Sequence, residues 1–279
     1  MTRRDENAAI FRDTERLCRT NPRLREAIAC SRNRQCLVRA GNALERPVGA
    51  ACQSCSIVVS SRRTFEAAAA YASTMRTCVL NFASATNPGG GVVNGSSAQE
   101  EALCRTSTLY FCLNVREMWD GFYSPHRVAR DPLHNDDIIY TPGVVVFKSD
   151  TDHPALLAER DWHEVDVISC AAPNLRERPS NRMNSGDGDH RADIAPDELR
   201  RLHERRFGRI LDVASANGAE AIILGAFGCG AFRNDPRVVA AAAAAVVPQY
   251  RFCFKVMEFA IYCRPGDTRN FDVFRQSLA

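Results

Sequence analysis

Lysine is almost absent from this chain of 279 residues: of its 36 basic residues, only Lys148 and Lys255 are lysine. The net charge is also small, at +3, which excludes broad electrostatic attraction along a polyanion as the main source of affinity. The positive excess is confined to residues 1–50, which hold 11 Arg against 6 acidic residues. We therefore expect attraction of a polyanion only from the N-terminal segment or from a local pocket.

Long apolar runs and a signal sequence are missing as well. The longest run, Val238–Val247, has ten residues and is mostly Ala, whereas a membrane-spanning helix needs about 20. The N-terminus, Met1–Glu6, is not followed by an apolar signal region. With 45% apolar and 25% charged residues, the composition is that of an ordinary globular protein. We expect a cytoplasmic location.

The chain also lacks a complete set of residues at metal-ligand spacing. Its twelve cysteines form a single Cys-x-x-Cys pair, Cys52 and Cys55, and its six histidines show no metal spacing. We expect reduced thiols and neither a bound metal nor a cofactor. Cys52 and Cys55 are the one candidate half of a metal or redox site.

Strands and helices alternate along the sequence, which predicts a single α/β domain of three layers with a mixed sheet between helices. The domain is expected over 51–279, with a helical extension, 1–50, packed on the core. Residues 174–198, rich in Arg, Asn, Asp, Gly and Pro, are expected to form an exposed loop. The predicted strands are 56–60, 78–82, 144–147, 165–170, 221–224 and 252–261, and the predicted helices are 5–33 with a break near Asn21-Pro22, 64–75, 97–109, 196–217 and one from about 236.

Two glycine loops each stand between a strand and a helix. The first glycine loop is Asn87–Gly91 (Asn-Pro-Gly-Gly-Gly), and the second is Gly225–Phe232 (Gly-Ala-Phe-Gly-Cys-Gly-Ala-Phe). Backbone N–H groups without a neighbouring Cβ and a following helix N-terminus favour an anion. Neither loop has the Gly-Lys-Ser/Thr ending of a P-loop or the Gly-x-Gly-x-x-Gly order. One loop alone is often a tight turn, but two at strand ends predict a cleft for a diphosphate.

Two adjacent carboxylates, Glu100 and Glu101, follow the first glycine loop. Ser97 and Glu100 have the spacing of a capping box, which predicts a structural role for Glu100. Successive helix residues point about 100° apart, so Glu101 cannot serve the same box. Glu101 is left without a structural role.

The glycine triplet and Gln99-Glu100-Glu101 together resemble the signature of the poly(ADP-ribose) glycohydrolases. Residues 224–236 resemble the second loop of the microbial-type branch, and with Ser169–Asn174 the resemblance covers essentially the whole chain. It implies a macrodomain-like fold that holds ADP-ribose in a cleft. It also implies hydrolysis of the ribose–ribose glycosidic bonds of poly(ADP-ribose), mainly from chain ends, with release of ADP-ribose.

The same resemblance implies roles for individual residues. Glu101 would be the catalytic acid, which protonates the leaving ribose oxygen and then activates water, and this requires a raised pKa. Glu100 would hold hydroxyls of the distal ribose, with help from Asn87. Phe227 and Phe232 would wall the ribose and the diphosphate. The other substrate-binding residues that it implies are Gly89, Gly90, Gly91, Gln99, Gly225, Gly228, Cys229, Gly230 and Ala231.

Poly(ADP-ribosyl)ated proteins are the expected partners, with no membrane and no sequence-specific nucleic acid. The resemblance further implies that Asn270–Phe274 caps the outer ribose and restricts cleavage to chain ends.

Two alternative functions stay open at this point. A reader domain would hold terminal ADP-ribose without cleaving it, and it would not need the Gln-Glu-Glu sequence. A mono-ADP-ribosyl hydrolase would use the same cleft for a different leaving group.

Overall fold

The chain forms one mixed sheet of seven strands among helices, in a computed structural model that describes residues 2–42, 54–181, 186–264 and 266–278. The strand order is β1-β4-β5-β3-β6-β7-β2. Strand β4 runs antiparallel to β1 and β5, and the other pairs are parallel. The strands are β1 (Cys36–Val38), β2 (Ser56–Ser60), β3 (Thr77–Phe82), β4 (Ile138–Val146), β5 (His163–Cys170), β6 (Ala221–Leu224) and β7 (Val256–Ala260).

Helices cover both faces of the sheet. They are α1 (Arg3–Thr20), α2 (Pro22–Arg34), α3 (Thr64–Ala69), α4 (Gln99–Thr106), α5 (Leu109–Leu113), α6 (Arg116–Met118), α7 (Ser124–Ala129), α8 (Pro196–Ala216), α9 (Pro236–Val246) and α10 (Arg269–Leu278). One core, which includes Phe207, lies on the α8, α9 and α10 side, and the other, with Phe11 and Leu103, on the α1, α3 and α4 side. Because side chains alternate along a strand, β3 sends Leu80 into the first core and Val79 into the second.

The N-terminal segment packs against the rest of the fold and adds a strand to it. Asn21 ends α1 and caps α2, with its Oδ1 accepting the Leu24 N–H at 3.2 Å, so the predicted break is confirmed. Strand β1 pairs with β4 at the sheet edge, which an all-helical extension did not anticipate. Three residues are too short a run to give a strand signal. The division at residue 50 lies outside the described residues and stays a prediction.

Several element boundaries differ from those expected for local reasons. Strand β4 begins at Ile138, before the predicted 144, because the ladder continues through a register shift between Thr141 and Val144. The predicted helix 97–109 is two helices, since Ser107 is extended and bridges to Val146 on β4. The predicted helix 64–75 ends as α3 at Ala69, where turns lead into β3. Strand β7 is shorter than the predicted 252–261.

Many described residues of the loop expected over 174–198 are exposed, as predicted, but some of its polar residues are buried. Asn174 and Asp187 are both fully buried. Asn174 Nδ2 donates to Asp187 Oδ2 at 2.8 Å, and Thr86 Oγ1 donates to Asp187 Oδ1 at 3.2 Å. The polar residues of this loop therefore form internal hydrogen bonds, one of which reaches the residue just before the first glycine loop.

Apart from Cys55, the cysteines in the part of the chain that the structure describes are free thiols, and Cys52 lies outside the described residues. Within the described ranges, His, Cys, Asp and Glu form no group of three or more that could hold a metal ion. None of the helices described above is both long and apolar enough to cross a bilayer.

Candidate active site

The two glycine loops extend from the ends of neighbouring parallel strands. Strand β3 pairs in parallel with both β5 and β6, so the carboxyl ends of these three strands meet at one edge of the sheet. The first glycine loop follows β3, the second follows β6, and residues 171–176 follow β5. The topology thus brings together the loops that the sequence singled out, at the place where α/β sheets bind ligands.

Glu101 lies in the first turn of α4, with one carboxylate oxygen held and the other without a partner. Its Oε1 accepts the Gly91 N–H at 2.9 Å. Its Oε2 is buried and has no hydrogen-bond partner among the described residues, and the residue as a whole is 7% exposed. Burial raises the pKa of Glu101, and the Gly91 N–H and the Arg105 charge oppose that rise. The arrangement suits a carboxylic acid whose proton sits on Oε2.

Glu100 is used in a different way, because both of its oxygens accept hydrogen bonds. Ser84 N–H donates to Oε2 at 2.7 Å, and Asn81 Nδ2 donates to Oε1 at 3.3 Å. Burial and the neighbouring Glu101 carboxylate raise the pKa of Glu100, and these donors counteract the rise. The predicted capping box is wrong: the N-cap residue of α4 is Ala98, and Glu100 reaches back to the β3 side instead.

Two residues of the glycine triplet, Gly90 and Gly91, lie against the Glu101 carboxylate and position it. Gly90 has φ +56°, and a Cβ on it would lie 2.6 Å from Oε1 of Glu101. Gly90 N–H donates to the Asn87 carbonyl at 3.0 Å, and Gly91 N–H to Glu101. The expectation that Gly90 and Gly91 offer N–H groups to a diphosphate stays a prediction, and these hydrogen bonds do not favour it. These donors are used inside the protein, and what the site needs here is the missing side chain. Gly89, also at positive φ (+66°), packs against Tyr110 and Cys104.

Gln99 forms hydrogen bonds that fix the start of α4, and its expected role in substrate binding stays a prediction. Its Oε1 accepts the Phe82 N–H at 2.9 Å, and its Nε2 donates to the Leu80 carbonyl at 2.7 Å and to Thr64 Oγ1 at 3.0 Å. Both ends of the amide are thus bound to the end of β3 and the start of α3. Gln99 fixes the first turn of α4, and with it the two carboxylates, against the sheet.

Asn87 is held from two sides. Its Nδ2 donates to Thr86 Oγ1 at 3.1 Å, and its Oδ1 accepts from the Arg127 guanidinium. Arg127 also donates through Nε to the Thr86 carbonyl at 2.7 Å and lies 4.8 Å from the centre of the Trp119 ring. The Asn87 side chain is therefore fixed in position at the edge of the first glycine loop.

The second glycine loop keeps backbone donors available. Among the described residues, the N–H groups of Gly228, Gly230 and Ala231 have no acceptor within the protein. Gly230 and Ala231 are exposed. Gly225 has to be small, because a Cβ there would lie 2.9 Å from both the Ala260 carbonyl and Phe82 Cζ. Of the two loops, this one has the donors that a diphosphate requires.

The two phenylalanines of the second loop lie in different surroundings. Phe227 is fully buried, with its ring against Phe82, Phe207 and His203. Phe227 is thus a core residue and not an accessible wall, since the tight turn after Gly225 directs its ring inward. Phe232 is half-buried. Cys229 is partly buried, and burial raises the pKa of its thiol, so it is not a thiolate nucleophile.

Sequence reasoning missed the residues that hold the second loop. Asn234 Nδ2 donates to the carbonyls of Pro173 at 2.7 Å and Gly228 at 3.1 Å. His203 on α8 pairs through Nε2 with Asn234 Oδ1 at 2.9 Å, and burial lowers the pKa of His203 to about 4. The ring is thus neutral and donates its Nε2–H. Asn81 is a polar residue inside an otherwise apolar strand, which is a signal that could have identified it. Asn234 lies within residues 224–236, which carry the resemblance, whereas His203 had no signal in the sequence.

Comparison with known proteins gives a consistent result. A family model described as the catalytic domain of microbial-type PARG, poly(ADP-ribose) glycohydrolase, matches residues 11–149. A crystal structure of this enzyme from Thermomonospora curvata is 28% identical and superimposes with a TM-score of 0.81, covering 98% of this chain and 100% of that chain. A structure of the same enzyme bound to the inhibitor ADP-HPD is 29% identical, with a TM-score of 0.80 and coverage of 98% and 99%.

A third structure is more distant. The enzyme from Deinococcus radiodurans, in complex with ADP-ribose, is 28% identical with a TM-score of 0.72, and the match covers 90% of this chain and 96% of that one. No curated protein sequence matches the chain. The structural matches confirm the predicted α/β fold, a macrodomain-like mixed sheet among helices.

Proposed function

The chain belongs to the microbial-type poly(ADP-ribose) glycohydrolases, and from this premise we propose that Glu101 is the general acid and base with which it hydrolyses ribose–ribose glycosidic bonds to release ADP-ribose. One observation carries the assignment. Glu101 has one oxygen fixed by the Gly91 N–H and the other buried without a partner. A proton on that second oxygen has no acceptor among the described residues, and we propose that its acceptor is the substrate.

Glu101 takes part in two proton transfers during the reaction. Glycoside cleavage passes through an oxocarbenium-like state, and the leaving ribose oxygen is a poor leaving group unless it is protonated. Glu101 gives its Oε2 proton to that oxygen as the glycosidic C–O bond breaks. The Glu101 carboxylate then accepts a proton from water as the water oxygen bonds to the anomeric carbon. The products are ADP-ribose and a polymer shortened by one unit, and Glu101 is again protonated.

Binding is divided between the two loops. The second glycine loop, with the N–H groups of Gly228, Gly230 and Ala231, would hold the diphosphate. Glu100, whose oxygens each accept one hydrogen bond, keeps lone pairs for hydroxyls of the distal ribose. Asn87 is linked to the residue that binds Glu100, because its N–H donates to Ser84 Oγ at 3.1 Å, and Arg127 orients its side chain. Phe232 is the aromatic residue of this loop that stays partly exposed.

Poly(ADP-ribosyl)ated proteins as partners and a cytoplasmic location are part of this proposal, and the free thiols support a reducing compartment.

Release of ADP-ribose mainly from chain ends is also part of this proposal. The segment proposed to cap the outer ribose begins α10, and Phe274 is buried against Phe259. Deleting the segment would disturb the core, so the double variant Asn270→Gly, Phe271→Ala is the better probe. We expect it to release oligomers as well as ADP-ribose.

The decisive experiment incubates the protein with poly(ADP-ribosyl)ated protein and separates the products by chromatography. We expect the wild type to release ADP-ribose and Glu101→Gln to release at least about a hundredfold less while still binding ADP-ribose. Glu100→Gln is the same substitution at the neighbouring residue. It should lower both the affinity for ADP-ribose and the rate of its release.

Other outcomes would contradict the proposal. Binding without release by the wild type would indicate a reader domain. Release from mono-ADP-ribosylated protein but not from the polymer would indicate a mono-ADP-ribosyl hydrolase. Full activity of Glu101→Gln would show that another group is the acid.

A further inference from the structure

Arg105 is a buried cation that forms no direct ion pair within the described residues. It lies one turn after Glu101 on α4 and is 5% exposed. Its Nη1 donates to the Ser96 carbonyl at 2.5 Å, its Nε has no partner, and no carboxylate of the described residues lies within ion-pairing distance. Burying an unpaired guanidinium is costly, so this position calls for an explanation beyond packing.

The second deeply buried arginine shows how the fold satisfies such a group when its role is structural. Arg206 pairs with Asp136 at 2.8 Å through Nε, and its other nitrogens donate to the carbonyls of Ala171, Leu133 and His134. Arg105 has one carbonyl acceptor by comparison. Its charge is therefore largely uncompensated by local partners and acts on the groups around it.

The backbone of Arg105 is fixed by the N-terminal helix. Thr14 Oγ1 on α1 donates to the Arg105 carbonyl at 2.6 Å, and Lys148 Nζ donates to the same Thr14 hydroxyl at 2.9 Å. Thr14 is fully buried. Asn7, also on α1, donates to the Gly95 carbonyl at 3.2 Å, next to Ser96. Helix α1 thus holds both the end of α4 and the segment to which the Arg105 guanidinium is bound.

The charged and titratable groups that act on Arg105 come from three elements. Glu101 and Cys104 share α4 with it, Arg3 acts from α1, and Asp150 acts from the segment after β4. Glu100, on the same helix, is the neighbouring carboxylate of Glu101. Burial raises the pKa of the Cys104 thiol, which stays neutral, and Arg3 is largely exposed. Arg105 is thus a buried positive charge near two buried carboxyl groups, those of Glu101 and Asp150.

We propose that Arg105 is a positioning residue for catalysis, whose fixed charge stabilises the Glu101 carboxylate formed when the proton passes to the leaving ribose oxygen. This inference rests on the proposed role of Glu101. At that step the buried pair Glu100 and Glu101 has lost a proton in a site that already disfavours negative charge. A cation preorganised one helical turn away lowers the free energy of that state without any reorganisation during the reaction.

The same charge sets the balance between the two halves of the reaction. Burial alone would raise the pKa of Glu101, and Glu101 would then be too weak an acid to protonate the leaving ribose oxygen efficiently. Arg105 lowers that pKa. Glu101 can then donate a proton to the ribose oxygen and take one back from water.

The test compares Arg105→Met, which removes the charge at similar volume, with Arg105→Lys, which keeps it. The rate of ADP-ribose release is measured against pH for both and for the wild type. Loss of positive charge makes ionisation of Glu101 harder, so the alkaline limb of kcat should move up by about one pH unit in Arg105→Met. At the optimum, kcat should fall roughly ten- to a hundredfold. Arg105→Lys should keep the wild-type limb and most of kcat.

A purely structural role predicts something else. If Arg105→Met loses thermal stability and rate while its alkaline limb stays at the wild-type pH, or if Arg105→Lys is as impaired as Arg105→Met, the inference is wrong. Should Arg105→Met not fold, Arg105→Gln, which retains an amide donor for the Ser96 carbonyl, takes its place with the same expectation. Failure of the wild type to release ADP-ribose would instead contradict the proposed function itself.

Discussion

Gly90 lies directly against the Glu101 carboxylate, so that a Cβ on Gly90 would come within 2.6 Å of Oε1. The next residue, Gly91, donates its N–H to that same oxygen at 2.9 Å. The first glycine loop is therefore shaped around an acid ten residues further along the chain. Its glycines orient Glu101, and binding of the diphosphate is the role that we propose for the second loop.

Gly90→Ala should lower kcat strongly. The added methyl group would displace Glu101, and the positive φ of +56° would strain the alanine backbone. We expect a fall of roughly a hundredfold in kcat, from misplacement of the acid, with ADP-ribose affinity reduced less. Gly41→Ala is the matched control, because nothing lies within 4 Å of a Cβ there and Gly41 is not part of either glycine loop. Equal effects of the two substitutions on kcat would contradict this view of the first loop.

Gln99→Leu should destabilise the protein. The substitution leaves the Leu80 carbonyl and the Phe82 N–H without their partner, at a cost of about 2–4 kcal/mol in the free energy of unfolding. The same change at the exposed Gln249 should cost less than about 0.5 kcal/mol. Urea denaturation measures both. If Gln99→Leu instead weakens ADP-ribose binding at unchanged stability, Gln99 contacts the ligand after all.

Arg206→Met should be among the most destabilising single changes in the chain. It strands three carbonyl oxygens and the Asp136 carboxylate, and breaking such a buried pair costs about 3–5 kcal/mol. Arg205 lies beside it, 3.7 Å from the same Asp136 but 62% exposed. Arg205→Met should therefore cost under about 1 kcal/mol. Similar thermal shifts for the two variants would argue against the buried network.

Acid should destabilise the protein through His203. Its pKa in the folded state is about 4, below the ordinary 6.5, because burial disfavours the charged ring. As pH falls below 6.5 the unfolded chain binds a proton at this residue and the folded chain does not, so stability is lost from there down to about pH 4. Between pH 7 and 5 the loss should be about 2 kcal/mol.

The control for this prediction is His203→Gln, which keeps a donor for Asn234 Oδ1 without titrating. Its free energy of unfolding should depend less steeply on pH in that range. Parallel curves for the wild type and His203→Gln would exclude His203 as the cause. The other histidines with lowered pKa, His126 and His163, are unchanged in both proteins, so the difference between the curves reports His203 alone.

The chemistry of the site could be predicted from the sequence, but the function of each residue within it was only partly predictable. The glycine triplet and Gln-Glu-Glu stand within fifteen residues of one another, so their proximity is enforced by the chain. Glu101 was left without a structural role by helix geometry alone, and its place beside Gly91 agrees with that. The expected capping box at Glu100 failed because Ser84 and Asn81, from the end of β3, bind its oxygens first.

The sequence by itself determined the layer order, the two glycine loops and the pair of carboxylates, because these follow from local periodicity and from residue types that stand close together in the chain. Only the tertiary structure decided which donors are used up and which remain free. The N–H groups of Gly90 and Gly91 donate hydrogen bonds within the protein, whereas those of Gly228 and Gly230 have no acceptor in the part of the chain that the structure describes. The reason is physical: every buried polar group needs a partner, and long-range packing settles which group supplies it.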